Sequence, residues 1–299
     1  MEHEAAGDPK TQAKEGTLYL CATPIGNLED ITLRVLRVLR EADLIAAEDT
    51  RHTRKLLSHY QIHTPMTSYH RHNRKKKGAY LLRLLTEGRQ IALVSDAGLP
   101  GVSDPGAELA AEALEQRLRV IPLPGASAGI TALVISGLPT ESFVFEGFLP
   151  STSKSRRAKL RTLINEGRTM IFYEAPHRLR QVLADILEIC GNGRLAVARE
   201  LTKKHEETIR GTVAEALEYF RHNEPRGEFC LILQNPARES GAALPETDPA
   251  HREPAAYVAL LEQEGKPRKE AIRAATQVFG LSRRAVYRLV VEEKEKLNE

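Results

Sequence analysis

Short apolar segments alternate with amphipathic ones along the first half of the chain. The first apolar segment, residues 17–22 (TLYLCA), ends at a Pro/Gly/Asn turn, and apolar residues recur at helical spacing over 31–42. The same patterns predict strands at 44–47, 90–94 and 118–121 and helices at 50–60, 75–87, 105–116 and 128–136. Such alternation predicts a mostly parallel sheet with helices on its faces and ligands beyond the carboxyl ends of the strands.

The second half continues this alternation and then changes to helices alone. Its predicted elements are a strand at 143–146, a helix at 154–167, a strand at 169–173, a helix at 177–190 and strands at 195–201, 206–211 and 228–233. The first two of the last three strands are close enough to pair as a hairpin, and the third is apolar enough to be central. The second sheet should therefore be mixed.

The last segment is helical in pattern, with predicted helices at 253–264, 269–279 and 283–296. The turn between the last two has the glycine-to-apolar spacing of a helix-turn-helix. A three-helix bundle without any nucleic-acid contact is the alternative. The pattern alone does not choose between them.

Length and composition favour a globular protein of about two domains and a small third one. With 41% hydrophobic and 28% charged residues, the chain lies near the globular average, and no apolar run approaches the ~18 residues of a membrane helix. The predicted organisation is a disordered leader (1–15), an α/β domain (16–135), a second α/β domain (136–235), a linker (236–252) and a helical domain (253–299).

Three cysteines, Cys21, Cys190 and Cys230, lie far apart and show no metal-binding spacing. A reducing cytoplasm and a protein without a metal are therefore expected. The polar leader lacks the apolar segment of a signal peptide.

Charge is distributed unevenly, although the whole chain carries a formal charge of only +3. Residues 51–90 hold ten Lys or Arg and one acid, a formal charge of +9 against −6 for the rest, and five of the ten histidines. This concentration is typical of a surface that binds a phosphate backbone, and a merely solvated surface is the alternative. The predicted contacts are Arg51, Arg54, Arg71, Arg74, Lys75, Lys76 and Lys77, with Arg283 and Arg284 in the terminal helices.

Four loops are rich in the residues that special backbone geometry requires. They span 22–27, 48–51, 95–106 and 124–127, and three of them directly follow predicted strands. Glycine there permits close approach of the backbone to a ligand, while Asp and Ser can bind polar groups or merely cap helices. None matches a P-loop or a GxGxxG motif. Together they indicate a ligand site.

The chain carries five motifs in order: ATPIGNLEDITLR, AAEDTR, SDAGLPGVSDPG, PLPGASA and FYEAPHR. They closely resemble the bacterial 16S ribosomal RNA cytidine-2'-O-methyltransferase family over residues 16–235, and the terminal helices match that family in position. The resemblance implies two α/β domains of the tetrapyrrole methylase type (class III methyltransferases) with a helix-turn-helix-like appendage, and S-adenosylmethionine in the cleft between the domains. It also implies methylation of cytidine 1402 in the small ribosomal subunit, by a homodimer whose two-fold axis would join two basic segments.

The resemblance also assigns residues to the cofactor. The first loop would approach it, the third would bind its amino-acid portion and ribose, and the second domain would complete the pocket. This chain has Thr23, Pro24 and Asn27 where tetrapyrrole methylases place glycines and an acid. The implied set is Pro24, Ile25, Gly26, Ser95, Asp96, Ala97, Gly98, Gly101, Ser127, Ala128, Tyr173, Glu174 and Gly211.

A ribose hydroxyl is a poor nucleophile unless a positioned base takes its proton. Asp49 is the first candidate because it follows a strand at the predicted ligand edge beside the basic segment, and Glu48 and His177 are the others. Each has a plain alternative: Asp49 caps a helix, Glu48 pairs with Arg51, and His177 lies in the first turn of a helix.

Two other functional classes remain open at this point. A methyltransferase acting on a tetrapyrrole or another small molecule would share the cleft, but it would not require the basic segment. A non-enzymatic nucleic-acid-binding protein would explain the basic segment and leave the four loops without a role.

Overall fold

The computed structural model describes residues 16–104, 106–236, 254–263, 266–279 and 281–296. The chain divides into two compact units, 1–236 and 237–299. The predicted leader and the predicted linker beyond Pro236 lie outside the described residues. Within the described residues, no helix is both long enough and apolar enough to span a membrane.

Five parallel strands form the first sheet, in the order β3-β2-β4-β1-β5. The strands are β1 (Thr17–Cys21), β2 (Leu44–Ala47), β3 (Met66–Ser68), β4 (Gln90–Val94) and β5 (Arg119–Leu123). The parallel sheet predicted from the alternation is confirmed. The short edge strand β3 was not predicted because it has three residues and none of them is fully buried.

Four helices cover the two faces of this sheet. They are α1 (Leu33–Glu41), α2 (Thr50–His59), α3 (Arg74–Thr86) and α4 (Gly106–Glu115). Helices α1 and α2 pack on one face through Val35, Leu39 and Leu57, whereas α3 and α4 pack on the other face through Leu81 and Leu109. Alternate strand residues contribute to the two clusters, as the period of a strand requires.

The second sheet is mixed, with strand order β6-β7-β10-β8-β9. Strands β6 and β7 are parallel, and the remaining pairs are antiparallel. The predicted hairpin and the central position of the last strand are confirmed. The strands are β6 (Phe143–Phe148), β7 (Thr169–Glu174), β8 (Arg194–Arg199), β9 (Glu207–Thr212) and β10 (Phe229–Gln234).

Helices cover both faces of this sheet too: α5 (Ala128–Ser136) lies on one face, and α6 (Ser153–Thr162), α7 (Leu179–Cys190) and α8 (Val213–His222) lie on the other. Helix α6 ends five residues before the predicted end, and α8 was not predicted. The feature of the sequence that could have predicted the start of α8 is the capping box formed by Thr212 and Glu215.

Helix α5 belongs with the second sheet, because Ala132 and Leu133 pack against Ile171 and Ile232. We therefore propose a boundary before α5 instead of the one predicted at residue 136. Residues 16–123 are called the N-terminal lobe below, and residues 128–236 the C-terminal lobe.

The second unit consists of helices α9 (Pro254–Gln263), α10 (Arg268–Phe279) and α11 (Arg283–Lys296). They lie where the sequence predicted them. Val258, Ala271, Ala275 and Val286 form its own buried core, to which all three helices contribute.

Candidate active site

A cleft of about 540 Å³ lies between the two lobes of the first unit. The N-terminal lobe contributes residues that follow the strands of the parallel sheet, namely Glu48 after β2 and the 95–104 loop after β4. Ser127 lines the cleft from the segment after β5 that joins the two lobes. The volume falls within the roughly 300–1,000 Å³ of small-molecule sites. The prediction that a ligand site lies at the carboxyl ends of these strands therefore agrees with the position of the cleft.

The third loop is fastened to the first loop by a pair of backbone hydrogen bonds. The amide of Thr23 donates to the carbonyl of Gly98 (2.9 Å), and the amide of Gly98 donates back (3.0 Å). The hydroxyl of Ser95 also donates to the carbonyl of Gly98 (3.2 Å). Gly98 has φ +79°, a left-handed conformation that glycine adopts without strain. These hydrogen bonds hold the third loop in place against the first loop.

Asp104 closes the rest of this loop. Its Oδ1 accepts hydrogen bonds from the amides of Gly101 and Gly106, both at 2.8 Å, and so fixes the start of α4. Gly101, predicted to bind the cofactor, has φ +98° and does not line the cleft. Its contribution is to the shape of the loop.

The first loop joins the N-terminal lobe to the C-terminal lobe. A Cβ at Gly26 would lie 2.4 Å from Cγ of Lys203 and 2.8 Å from the carbonyl oxygen of Leu201. The amide of Asn27 donates to Oγ1 of Thr202 (3.0 Å). Of the three residues predicted in this loop, only Ile25 lines the cleft, whereas Pro24 and Gly26 do not. Gly26 permits contact between the lobes.

Two acids converge on the cleft from the N-terminal lobe. Glu48 and Asp96 both line it. Burial, together with the negative charge of Asp96, raises the pKa of Glu48 above its ordinary value. Asp96 is held in place because its Oδ1 accepts from the amide of Asp49 (3.0 Å). Glu48 therefore binds protons more strongly than an exposed carboxylate does.

Asp49, the first candidate base, does not line the cleft. Its Oδ1 accepts from the amide of Arg51 (2.8 Å) as the cap of α2, and the Arg51 guanidinium contacts both carboxylate oxygens at 3.2 and 2.9 Å. These contacts lower the pKa of Asp49 to about 2. In the structure Asp49 is therefore the cap of α2, as its alternative interpretation stated. Arg51 forms its ion pair with Asp49 and not with Glu48.

Glu174 is the most deeply buried acid of the cleft, with 1% of its surface exposed. Its Oε1 accepts from the amide of Ala175 (2.8 Å) and lies 3.4 Å from Nε of Arg178. Its Oε2 has no hydrogen-bond partner among the described residues. Burial raises the pKa of Glu174. A buried carboxylate oxygen without a protein donor calls for a donor from outside the chain, such as a water molecule or a ligand.

Most of the remaining predicted cofactor residues lie together in the cleft. Tyr173 is fixed there because its hydroxyl accepts from the amide of Gly129 (3.1 Å). The predicted residues that line the cleft are Ile25, Ser95, Asp96, Ala97, Gly98, Ser127, Ala128, Tyr173 and Glu174.

Besides Pro24, Gly26, Asp49 and Gly101, two further predicted residues lie outside the cleft. Gly211 in β9 pairs with Leu195, at the opposite end of β8 from the cleft residue Glu200, and packs against Glu215. His177 is exposed in a 3-10 helix and is absent from the cleft walls, as its alternative interpretation described.

Several cleft residues were missed by the sequence analysis. Val102 lies inside the SDAGLPGVSDPG motif but was not singled out there. Phe148, Glu200, Lys203 and Cys230 lie in or after strands of the C-terminal lobe, where no motif distinguishes them. All three cysteines are buried free thiols. Among the described residues, no cluster of three or more His, Cys, Asp or Glu could hold a metal ion.

The basic segment contains both free and engaged cations. Arg54, Arg71, Lys75 and Lys76 are exposed. Two further predicted cations are engaged, because Arg74 pairs with Glu108 and Lys77 donates to the hydroxyl of Thr67 (2.8 Å).

Residues 74–77 form the first turn of α3. Cations at a helix N-terminus oppose the helix dipole. Arg283 and Arg284 are exposed at the start of α11.

The likeness to known proteins covers almost the whole chain. The family model of Tetrapyrrole (Corrin/Porphyrin) Methylases matches residues 17–217. Two curated relatives are named ribosomal RNA small subunit methyltransferase I. The one from Halalkalibacterium halodurans is 49% identical, with 93% of this chain and 96% of the relative covered. The one from Synechocystis is 50% identical, with 93% and 98% covered.

Solved structures show the same fold. Uroporphyrin-III C-methyltransferase from Thermus thermophilus, solved with S-adenosylhomocysteine, is 19% identical, with a TM-score of 0.53 over 73% of this chain and 97% of that chain. Two α/β lobes with a cleft between them agree with this likeness. The chain belongs to the ribosomal RNA small subunit methyltransferase I family, within the tetrapyrrole methylases.

Proposed function

We propose that this protein transfers a methyl group from S-adenosylmethionine to the ribose 2'-hydroxyl of cytidine 1402 in 16S ribosomal RNA. The observation that carries the proposal is the cleft between the lobes, which combines an unpartnered buried carboxylate with a second acid of raised pKa. Membership of a family named for methylating small-subunit RNA supports the reaction and its substrate.

The residues of the cleft fit S-adenosylmethionine. The unpartnered Oε2 of Glu174 would accept from an amino group of the cofactor, while Ser95 and Asp96 offer polar contacts on the opposite lobe. Ala198 and Leu201 supply apolar wall. When bound, the cofactor supplies an electrophilic methyl group on its sulfonium. The solved neighbour with S-adenosylhomocysteine supports this assignment.

Glu48 is our candidate for the general base, in place of Asp49. It lines the cleft, and its raised pKa means that it takes a proton more readily than an ordinary carboxylate. Asp49 is occupied by Arg51 and has a pKa of about 2, which makes it a weak base. In the proposed reaction Glu48 accepts the proton of the 2'-hydroxyl as the methyl group is transferred.

The basic segment is the proposed RNA-binding surface. Its exposed cations suit phosphate contacts, and the small ribosomal subunit is the partner that the family name indicates. A ribosomal substrate implies a cytoplasmic location. A methyltransferase of small tetrapyrroles would have no use for this surface, and a non-enzymatic RNA-binding protein would have no use for the acids of the cleft.

We also propose a homodimer. Helix α5 buries one apolar face on the second sheet, yet it exposes Ile130 and Val134 on the other face, at 46% and 70%. Exposed apolar residues on a largely apolar helix favour a protein contact.

The test of this function is direct. Unmodified small ribosomal subunits are incubated with the protein and labelled S-adenosylmethionine, and a parallel incubation contains a tetrapyrrole in place of the subunits. The RNA fragment that contains nucleotide 1402 is isolated and then digested to nucleosides. We expect labelled 2'-O-methylcytidine from the fragment that contains nucleotide 1402. Label in a tetrapyrrole substrate instead of RNA, or no transfer at all, would overturn the proposal.

A further inference from the structure

A β-bulge changes the direction of the side chains at the end of strand β6. Phe145 lies opposite Ile171 of β7, but Gly147 lies opposite Phe172, so Glu146 is an extra residue. Gly147 has φ +63°, which places it in the left-handed region. Bulges of this kind redirect side chains beside active sites.

The consequence is that Phe148 faces the cleft. In a regular strand Phe145 and Phe148 would point to opposite faces. Here both rings pack edge-on against Tyr173, with centroids at 5.1 and 5.6 Å. The extra residue, Glu146, pairs with Lys159 of α6 (2.6 Å), on the other side of the sheet. The bulge therefore places Phe148 on the Tyr173 side.

Phe148 lies at the rim of the cleft and is 55% exposed. Val102 of the third loop, also in the cleft wall, is 42% exposed. Deeper wall residues such as Glu174 and Cys230 are buried. With the proposed cofactor in the buried interior, the methyl acceptor would approach from the exposed side of the cleft, where Phe148 and Val102 lie.

An RNA nucleotide that reaches such a cleft presents a flat base. Its ribose can approach a buried methyl donor only if the nucleotide leaves the stack of its neighbours. An exposed aromatic ring at the entrance replaces the lost stacking, as in single-strand binding proteins. The ring of Phe148, fixed against Tyr173, is suited to this contact.

We propose that Phe148 stacks on the base of the target nucleotide and thereby positions its ribose at the cleft. The inference rests on the proposed function and names the residue that holds the substrate. Phe143 offers a matched control. It lies on the same strand and is 38% exposed, but it does not line the cleft.

The chain has no tryptophan, which permits a specific optical test. Phe148→Trp introduces a single tryptophan at the rim, and Phe143→Trp introduces one outside the cleft; each is excited at wavelengths where the eight tyrosines do not absorb. Each variant, saturated with S-adenosylhomocysteine, is titrated with a single-stranded RNA oligonucleotide of the decoding-region sequence. We expect quenching only in the Phe148→Trp protein. Equal quenching in both variants, or none in either while the RNA binds, would overturn the inference.

Turnover on small ribosomal subunits gives the second readout. We expect Phe148→Ala to lower kcat/KM by roughly five- to hundredfold, and Phe148→Trp to lose less activity than Phe148→Ala because it keeps a ring that can stack. Phe143→Ala should stay near the wild type. Cofactor affinity, measured by calorimetry, should change less than about twofold. If Phe148→Ala retains full kcat/KM, or loses cofactor affinity instead, Phe148 is not a stacking residue. If the wild type itself labels no RNA, it is the proposed function that has failed.

Discussion

Glu48 and Asp49 are neighbours in sequence, but their pKa values are shifted in opposite directions. Glu48 faces the cleft, where burial and Asp96 favour its protonated form. Asp49 faces the start of α2, where the Arg51 side chain and amide favour its ionised form. One step along the backbone therefore separates a candidate base from a helix cap.

Replacing each acid by its amide should separate the two roles. We expect Glu48→Gln to lower kcat by roughly 100- to 10,000-fold, because the amide cannot take a proton. Asp49→Asn should keep kcat within a few-fold, since asparagine is also a good N-cap. Single-turnover methylation measures both, with cofactor affinity as the control. If Asp49→Asn lowered kcat far more than Glu48→Gln, Asp49 would be the base after all.

The pH dependence of turnover should report Glu48 directly. A general base acts only when it is deprotonated, so kcat should fall as the pH drops through the pKa of Glu48. Because that pKa is raised, the decline should begin at a higher pH than the ordinary glutamate pKa of 4.5 would give. The residual turnover of Glu48→Gln should lack this acid limb. If kcat of Glu48→Gln still fell at low pH as in the wild type, the fall would belong to the titration of another group.

At the scale of elements, α3 combines a good amphipathic face with an unfavourable first turn. Residues 74–77 place four cations at the N-terminus, and Asn73 forms no side-chain cap. Glu108 and Thr67 engage Arg74 and Lys77. Lys75 and Lys76 are exposed and raise the local positive potential, which an RNA phosphate would offset.

Lys75→Ala combined with Lys76→Ala should therefore weaken RNA binding without reducing stability. The slope of log affinity against log salt should flatten by about 1.4, at roughly 0.7 per phosphate contact on single strands. Thermal stability should stay equal or rise slightly, because the dipole conflict is relieved. Arg37→Ala, on α1 at the opposite face of the sheet and likewise paired with an acid four residues on, Glu41, is the control. If affinity and slope persist, Arg283 and Arg284 become the preferred contacts.

At the scale of the whole molecule, the cleft is formed by two lobes with separate sheets. The Gly26 contact and the Asn27–Thr202 hydrogen bond join the lobes on one side. A cofactor in the cleft would touch Asp96 of one lobe and Glu174 of the other. Binding should therefore stabilise both lobes together.

S-adenosylhomocysteine at about 100 times its Kd should stabilise the fold by about 2.7 kcal/mol, seen as a rise in Tm. Glu174→Gln should reduce that rise at the same ligand concentration. The side-chain oxygen of the introduced glutamine would keep accepting the hydrogen bond from the amide of Ala175. Its NH2 group would then stand where the wild type has the unpartnered Oε2 of Glu174. His177→Ala, outside the cleft, should match the wild type. An undiminished shift in Glu174→Gln would remove Glu174 from the cofactor site.

The proposed dimer should have a mass of about 67 kDa, twice the 33.3 kDa of one chain. Val134→Glu should shift it towards a monomer, because a charge on the outer face of α5 opposes its burial. Leu33→Glu, at an exposed apolar position of α1, is the control. Light scattering at micromolar concentration measures both. A wild-type particle of monomer mass would contradict the dimer.

Much of the fold and part of the site could be predicted from local sequence. Buried strands such as β4 are continuous apolar segments, and their bounds were predicted correctly. Loops that follow strands carried Ser95, Asp96 and Gly98 to the cleft because parallel strands end at one edge. These are consequences of periodicity and turn chemistry, which act over a few residues.

The sequence by itself determined the α/β alternation, the family and the loops that line the cleft. Only the tertiary structure decided which acid faces the cleft, that Gly211 and His177 lie outside it, and that a bulge presents Phe148. Burial, the charge of Asp96 and the ring of Tyr173 come from distant segments of the chain. Such contacts depend on how lobes and strands pack, and no local pattern records them.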